Sequence, residues 1–126
     1  MRDARIGVDL VDAQVFETRF AGREDVLAEV FTDAELTYCR NQREPWTHLA
    51  VRFAAKEALL KALGTGLSGP MRMCDIEVVR DPAGAPRLIV TGAVADVVHE
   101  KQLSVASISL SHTATHAVAV VLLTPA

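Results

Sequence analysis

Residues 52–66, RFAAKEALLKALGTG, read as the end of a helix that breaks the usual separation of apolar and charged faces. At about 100° per residue, Arg52 and Lys56 project into the same arc as Leu49, Leu59 and Leu63. A cationic head on a core-facing stripe is costly to dehydrate unless it snorkels to water or meets an anion, so the pattern points to a bound negative ligand. On the adjacent face Glu57 and Lys61 stand at i, i+4, which by itself reads as a surface ion pair of about 0.2–0.5 kcal/mol. Opposite the charges, Ala54, Ala55, Ala58 and Ala62 make a small-residue ridge that lets another element approach closely. Gly64 supplies a left-handed helix stop, and the three glycines of LGTGLSGP permit close backbone approach to a ligand.

A chain of 126 residues, half of them apolar, suits a single domain over residues 1–126 with one core. The net charge of −3 gives no support to nucleic-acid binding, so any basic site must be local. No run of about 18 apolar residues is present, and MRDARIGVDL lacks the basic start and long hydrophobic stretch of a leader; the expectation is a soluble, cytoplasmic protein without membrane contact. Cys39 and Cys74 are far apart with no C-x-x-C partner, which predicts reduced, non-catalytic thiols.

Along the chain, IGVDLV over residues 6–11 reads as a buried strand or strand end, which leaves Asp9 in need of a reason. A helical pattern from Ala13 carries Val15, Phe16 and Phe20 inward and breaks at Gly22, before a second helix over residues 24–31. Thr32 with Glu35 matches a capping box, predicting a helix from Asp33 to about Arg43. Pro45 should end that element, with Thr47 as N-cap of the long helix to Leu63. DPAGAP is turn chemistry between strands at residues 74–80 and 87–90, and a helix runs from Thr91 or Gly92 to near Lys101. Residues 105–111 and 116–123 should form a final antiparallel hairpin. The rhythm predicts an α+β fold, a mainly antiparallel sheet with helices packed on one face.

Three separated pieces share a chemical theme: Asp9 in a strand; Glu57, Lys61 and the glycines after them; and Ser109, Ser111 and His112 at a strand end. Two carboxylates with few competing ligands suit Mg²⁺, a hard cation that takes its remaining ligands from water and substrate phosphates. Lysine, arginine and backbone amides would hold those phosphates. Taken singly, Asp9 also fits a turn or cap and His112 an ordinary hairpin loop; the joint occurrence carries the argument.

IGVDLV, RFAAKEALLKALGTG, DIEVVRDPAGAPRL and SISLSHT, in this order and spanning nearly the whole chain, resemble the holo-acyl-carrier-protein synthase family of 4′-phosphopantetheinyl transferases. The resemblance implies that fold and transfer of phosphopantetheine from coenzyme A to a serine of an apo acyl carrier protein, or of a carrier domain within a synthase, for fatty-acid or polyketide synthesis. Adenosine 3′,5′-bisphosphate would be released. It also implies a homotrimer with active sites at subunit interfaces. Residue by residue, Asp9 and Glu57 match the family's magnesium ligands, with Mn²⁺ a possible substitute, and Lys61 its pyrophosphate-contacting lysine. Asp9, Glu57 and Lys61 are thus the expected catalytic group, with Glu57 the candidate base for the serine proton. Gly64, Thr65 and Gly66 match the loop beside coenzyme A, while Arg52, Ser109 and His112 complete the expected coenzyme-binding set.

One position departs from the pattern. Where the family commonly has an arginine that meets acidic carrier side chains, this chain has Val15, with Arg19 and Arg23 further along. That substitution predicts a carrier with a less acidic recognition surface. A non-catalytic coenzyme A or nucleotide-binding module and a purely structural trimerisation domain are the competing readings. Two carboxylates beside phosphate contacts weigh against the first, and the buried charges against the second.

Overall fold

A computed structural model describes residues 3–126. Strand β1 (Arg5–Asp12) leads into three short helices, α1 (Ala13–Phe20), α2 (Glu24–Val30) and α3 (Asp33–Arg40), and then the long helix α4 (Pro45–Leu63). A 3₁₀ turn (Met73–Asp75) precedes the hairpin β2 (Ile76–Arg80) and β3 (Pro86–Val90). Helix α5 (Gly92–Glu100) and a second hairpin, β4 (Leu103–His112) and β5 (His116–Pro125), complete the chain. The strands form two antiparallel sheets: β1-β5-β4, and separately β2-β3. This is the expected α+β layering, with the sheet divided in two.

Local chemistry sets most boundaries. Thr32 and Glu35 form the reciprocal capping box, the Glu35 amide donating to Thr32 Oγ1 at 3.2 Å and the Thr32 amide to Glu35 Oε1 at 3.1 Å. Helix α3 ends at Arg40 rather than near Arg43, since Asn41 turns the chain out. The start of α4 corrects the sequence reading: Pro45 opens the helix, Glu44 occupies the cap position and Thr47 is buried inside the first turn. Proline at a first helical position loses nothing, because its missing N–H would have had no partner there. Gly64 ends α4 as expected, in the left-handed region at φ 80°.

Helix α4 is the central pillar. Every residue of it is buried except Pro45, Trp46, His48, Phe53, Glu57 and Lys61. One side packs on the sheet and hairpins through Ala54, Ala58, Leu59 and Leu63, with Ala119, Val121 and Leu123 of β5 opposite. The other meets the aromatic cluster of α1–α3, where Phe16 lies 4.6 Å from Phe20 and 5.4 Å from Phe53 between ring centroids. The alanine ridge does what its size permits. Strand β1 approaches so closely that a Cβ on Gly7 would run into the Ala58 carbonyl oxygen and come within 2.8 Å of the Ala62 amide nitrogen.

The reading of residues 6–11 as a buried strand is half wrong. Gly7, Asp9 and Val11 face α4, but Ile6, Val8 and Leu10 are 70%, 53% and 65% exposed. They are paired in register with Leu122, Val120 and Val118 of β5, so the β1–β5 part of one sheet face is apolar and uncovered within the chain, while β4 adds Ser107, Ser109 and Ser111 to it. A continuous apolar run fits a strand buried on both sides; here the described chain covers only the side that faces α4.

Candidate functional site

The one stripe of α4 that escapes burial in its second half carries Phe53, Glu57 and Lys61, spaced four apart. It opens onto the α4-facing side of β1, where Asp9 stands with its side chain 15% exposed. Lys61 Nζ donates to Asp9 Oδ1 at 2.8 Å and to the Val8 carbonyl at 3.1 Å, while Arg5 Nη1 reaches the Leu63 carbonyl at 3.0 Å. The predicted Glu57–Lys61 surface pair is therefore replaced by a cross-element pair. Lys61 has turned toward the strand because Asp9 lies beside the helix end.

Asp9 and Glu57 share a cleft of about 440 Å³, whose walls include Val15, Arg19, Phe20 and Phe53. Burial pushes the Glu57 carboxyl above its ordinary value, the Asp9 charge pushes it further, and Lys61 pulls partly back. Two acids near enough to repel, one half-buried and one almost buried, form a donor set that a hard divalent cation would relieve. Among the described residues no group of three or more His, Cys, Asp or Glu is placed to hold a metal, so such a cation would take its further ligands from water or substrate oxygen. The loop after Lys61 turns sharply: Gly64 and Gly66 both have positive φ, 80° and 62°, and Thr65 Oγ1 donates to the Gly66 carbonyl at 2.9 Å.

Arg52 and His112 lie in a second group. The Arg52 guanidinium carbon sits 4.6 Å from the Tyr38 ring centroid, its Nη1 donates to the His48 carbonyl at 3.2 Å, and its buried Nε has no hydrogen-bond partner among the described residues. The His48 and His112 rings are 5.7 Å apart, and Arg80 lies 5.8 Å from the Tyr38 centroid. Burial lowers the pKa of His48, with Arg52, His112 and Arg80 adding to the effect, so the environment disfavours the charged imidazole. These groups converge from α3, α4, β2 and the end of β4. Sequence reasoning missed Tyr38, His48 and Arg80; only the position of His48 four residues before Arg52 offered a local signal.

Lys56 is a correction. It was read with Arg52 as a sign of a bound anion, but its anion is internal: Nζ donates to Glu35 Oε1 at 2.7 Å, to the Met73 carbonyl at 3.2 Å and to the Ile76 carbonyl, with both charged side chains fully buried. The remaining Glu35 oxygen accepts from the Val78 amide at 3.0 Å. Burial lowers the Lys56 pKa, against the raising effect of Glu35. Ser109 also departs from the expected grouping. It pairs with Val120, which pairs with Val8, and so lies on the uncovered sheet face, away from Asp9 and Glu57 of its own chain. Cys39 is wholly buried with its thiol pushed up to about 11, and Cys74 is also free, in keeping with inert thiols.

Residues 5–121 match the model of the 4′-phosphopantetheinyl transferase superfamily. The chain belongs to that superfamily. Within it, the chain is 43% identical over 119 residues to a holo-[acyl-carrier-protein] synthase of Geotalea daltonii, covering 93% of this chain and 94% of that protein. Among solved superfamily structures, the ACPS–CoA complex of Chronobacterium ammoniagenes superposes with a TM-score of 0.87 at 29% identity, covering 99% of each chain. The acyl carrier protein synthase of Mycobacterium tuberculosis is 35% identical with a TM-score of 0.72, covering 97% of each. The superfamily fold expected from four short motifs is thus the fold of the whole chain.

Proposed function

We propose that this chain is a holo-[acyl-carrier-protein] synthase that transfers 4′-phosphopantetheine from coenzyme A to a serine of an apo carrier protein and releases adenosine 3′,5′-bisphosphate. The observation that carries this reading is the convergence of Asp9, Glu57 and Lys61 from a strand and a helix at the mouth of one cleft, in a chain of this superfamily. The residues fit Mg²⁺, which Asp9 and Glu57 would hold and which would supply charge neutralisation on the diphosphate; Mn²⁺ would serve similarly.

The chain's own groups account for the rest. The carrier serine Oγ attacks the phosphorus bearing the pantetheine, and the bond to the nucleotide phosphate oxygen breaks. Phosphoryl transfer of this kind rests on positioning and on stabilising charge over the phosphoryl oxygens. Lys61, half-exposed beside Asp9, supplies one such positive charge, and the left-handed Gly64 and Gly66 turn the loop that follows it. Glu57, whose carboxyl is held above its ordinary value by burial and the Asp9 charge, accepts the serine proton. Nucleotide phosphate would bind at the second, basic group, against exposed His112, with the charge of buried Arg52 behind it.

The uncovered face of Ile6, Val8, Leu10, Val118, Val120 and Leu122 supports a homotrimer in which the carboxylate group of one subunit and the basic group of the next enclose each coenzyme. Ser109 on that face would join the site from the interface. Among the described residues no helix is long and apolar enough to cross a membrane. The enzyme would act in the cytoplasm on carriers of fatty-acid or polyketide synthesis.

Val15, 62% exposed beside the cleft, supports a carrier surface less acidic than usual, with Arg19 as the nearby cation. Incubation with coenzyme A, Mg²⁺ and an apo carrier, followed by mass spectrometry of the carrier, tests the activity. A carrier heavier by the phosphopantetheine group is expected, and binding of coenzyme A without that gain would reject the assignment. A strong preference for a free acidic carrier over an excised synthase domain, abolished when Arg19 and Arg23 are removed, would reject the carrier reading.

A further inference from the structure

The Lys61 ammonium rests on the very oxygen, Asp9 Oδ1, that the proposed metal site would use. Its second bond, to the Val8 carbonyl, holds it against the strand rather than out over the cleft. The lysine is 55% exposed against 15% for Asp9, so the pair joins a mobile cation to an almost buried anion. Glu57, in contrast, makes no ion pair among the described residues and meets Asp9 through repulsion. One of the two carboxylates is therefore neutralised from within the chain and the other is not.

We infer that Lys61 is a tethered competitor for the divalent cation, occupying Asp9 until a coenzyme diphosphate draws the ammonium away and frees the carboxylate. This rests on the reading of Asp9 and Glu57 as the metal ligands and adds a coupling between metal and coenzyme. A lysine head is a compact point charge on a four-carbon stem with freely rotating bonds, and it can exchange one oxygen partner for another without moving its backbone. Gly64 ends the helix just beyond it, so no further turn of α4 confines the swing on that side. When the ammonium transfers to a diphosphate, the cation no longer displaces it from Asp9, and each ligand pays less to bind in the presence of the other. Linkage makes the effect reciprocal: whatever the coenzyme gains for the metal, the metal gains for the coenzyme. The metal-free, coenzyme-free protein thus holds its own carboxylates in place and admits the two ligands as a unit.

The test is Mn²⁺ binding to the metal-free protein, read from the free-ion electron paramagnetic resonance signal, with and without saturating coenzyme A. Lys61→Met keeps the stem and removes the charge; without coenzyme it should bind Mn²⁺ roughly three- to tenfold more tightly than the parent. The tightening on adding coenzyme A should shrink by the same factor. Arg19→Met, which removes a cation from the same cleft that is not paired to Asp9, should change the affinity by less than about twofold. Equal Mn²⁺ affinity in the parent and Lys61→Met, or an Arg19→Met protein whose coenzyme-free Mn²⁺ affinity rises as much as that of Lys61→Met, would overturn the inference while leaving the metal site standing. An Asp9→Asn protein that binds Mn²⁺ as well as the parent would overturn both, since the metal would then lie elsewhere.

Discussion

At the residue scale, four charged side chains of α4 share a sequence neighbourhood and differ in what surrounds them. Lys56 is sealed in the core with its carboxylate, whereas Lys61, on the next turn, is over half exposed. The same change made at both separates the two environments. Lys56→Met strands the buried Glu35 charge and should cost about 3–5 kcal/mol in urea unfolding, while Lys61→Met should cost no more than about 1 kcal/mol. Glu57 adds a pH prediction. Its folded pKa lies above the ordinary 4.5, so the folded state holds the proton more tightly than the unfolded chain does. That contribution is fully present below 4.5 and is lost as pH rises through the folded pKa, leaving ionised Glu57 as a cost at neutral pH. Glu57→Gln should therefore raise the melting temperature of the metal-free protein at neutral pH, lose that advantage in acid, and abolish transfer. A lower melting temperature at neutral pH would show that neither burial nor the Asp9 charge weighs on the ionised Glu57 carboxylate.

At the scale of elements, the site depends on how closely β1 lies on α4. Gly7 and the alanines of α4 set that distance, and Asp9 follows two residues later on the same face of the strand. Gly7→Ala forces a Cβ into helix backbone, which cannot move aside as a flexible side chain would. The expected loss is about 1–3 kcal/mol or more, measured by denaturant unfolding, with reduced transfer because Asp9 and Glu57 separate. The helix end gives a milder case. Gly64→Ala places a Cβ in open space but in a left-handed conformation, and should cost about 1–2 kcal/mol in stability through backbone strain alone.

At the scale of the whole molecule, the uncovered apolar face is the largest unfinished feature. A monomer would leave Ile6, Val8 and Leu10 in water beside their β5 partners, a continuous patch of the kind that marks an interface. Replacing Val8 and Val120, a directly paired couple on that face, with aspartate should leave the chain folded by circular dichroism. It should run as a monomer in size-exclusion chromatography with light scattering, and transfer should fall with it. A monomeric, fully active variant would show that each site is complete within one chain.

The presence of each helix, though not the start of α4 or the end of α3, the capping box at Thr32, the left-handed stop at Gly64, the two hairpins and the four motifs were legible in the sequence, because each is set by neighbours within a few residues. The superfamily was legible for the same reason, since its motifs are short and contiguous. What α4 does with its charges was not. Arg52 and Lys56 sit at equivalent places in the helical pattern, yet one meets Glu35 and two carbonyls in the core while the other lies over Tyr38 with a free nitrogen. Periodicity says which way a side chain leaves its helix; the elements folded against that helix decide whether it meets a carboxylate, a ring or open solvent. The same holds for β1, whose apolar run has one side covered by α4 and the other left bare, a division made by the packing of a helix distant in the chain.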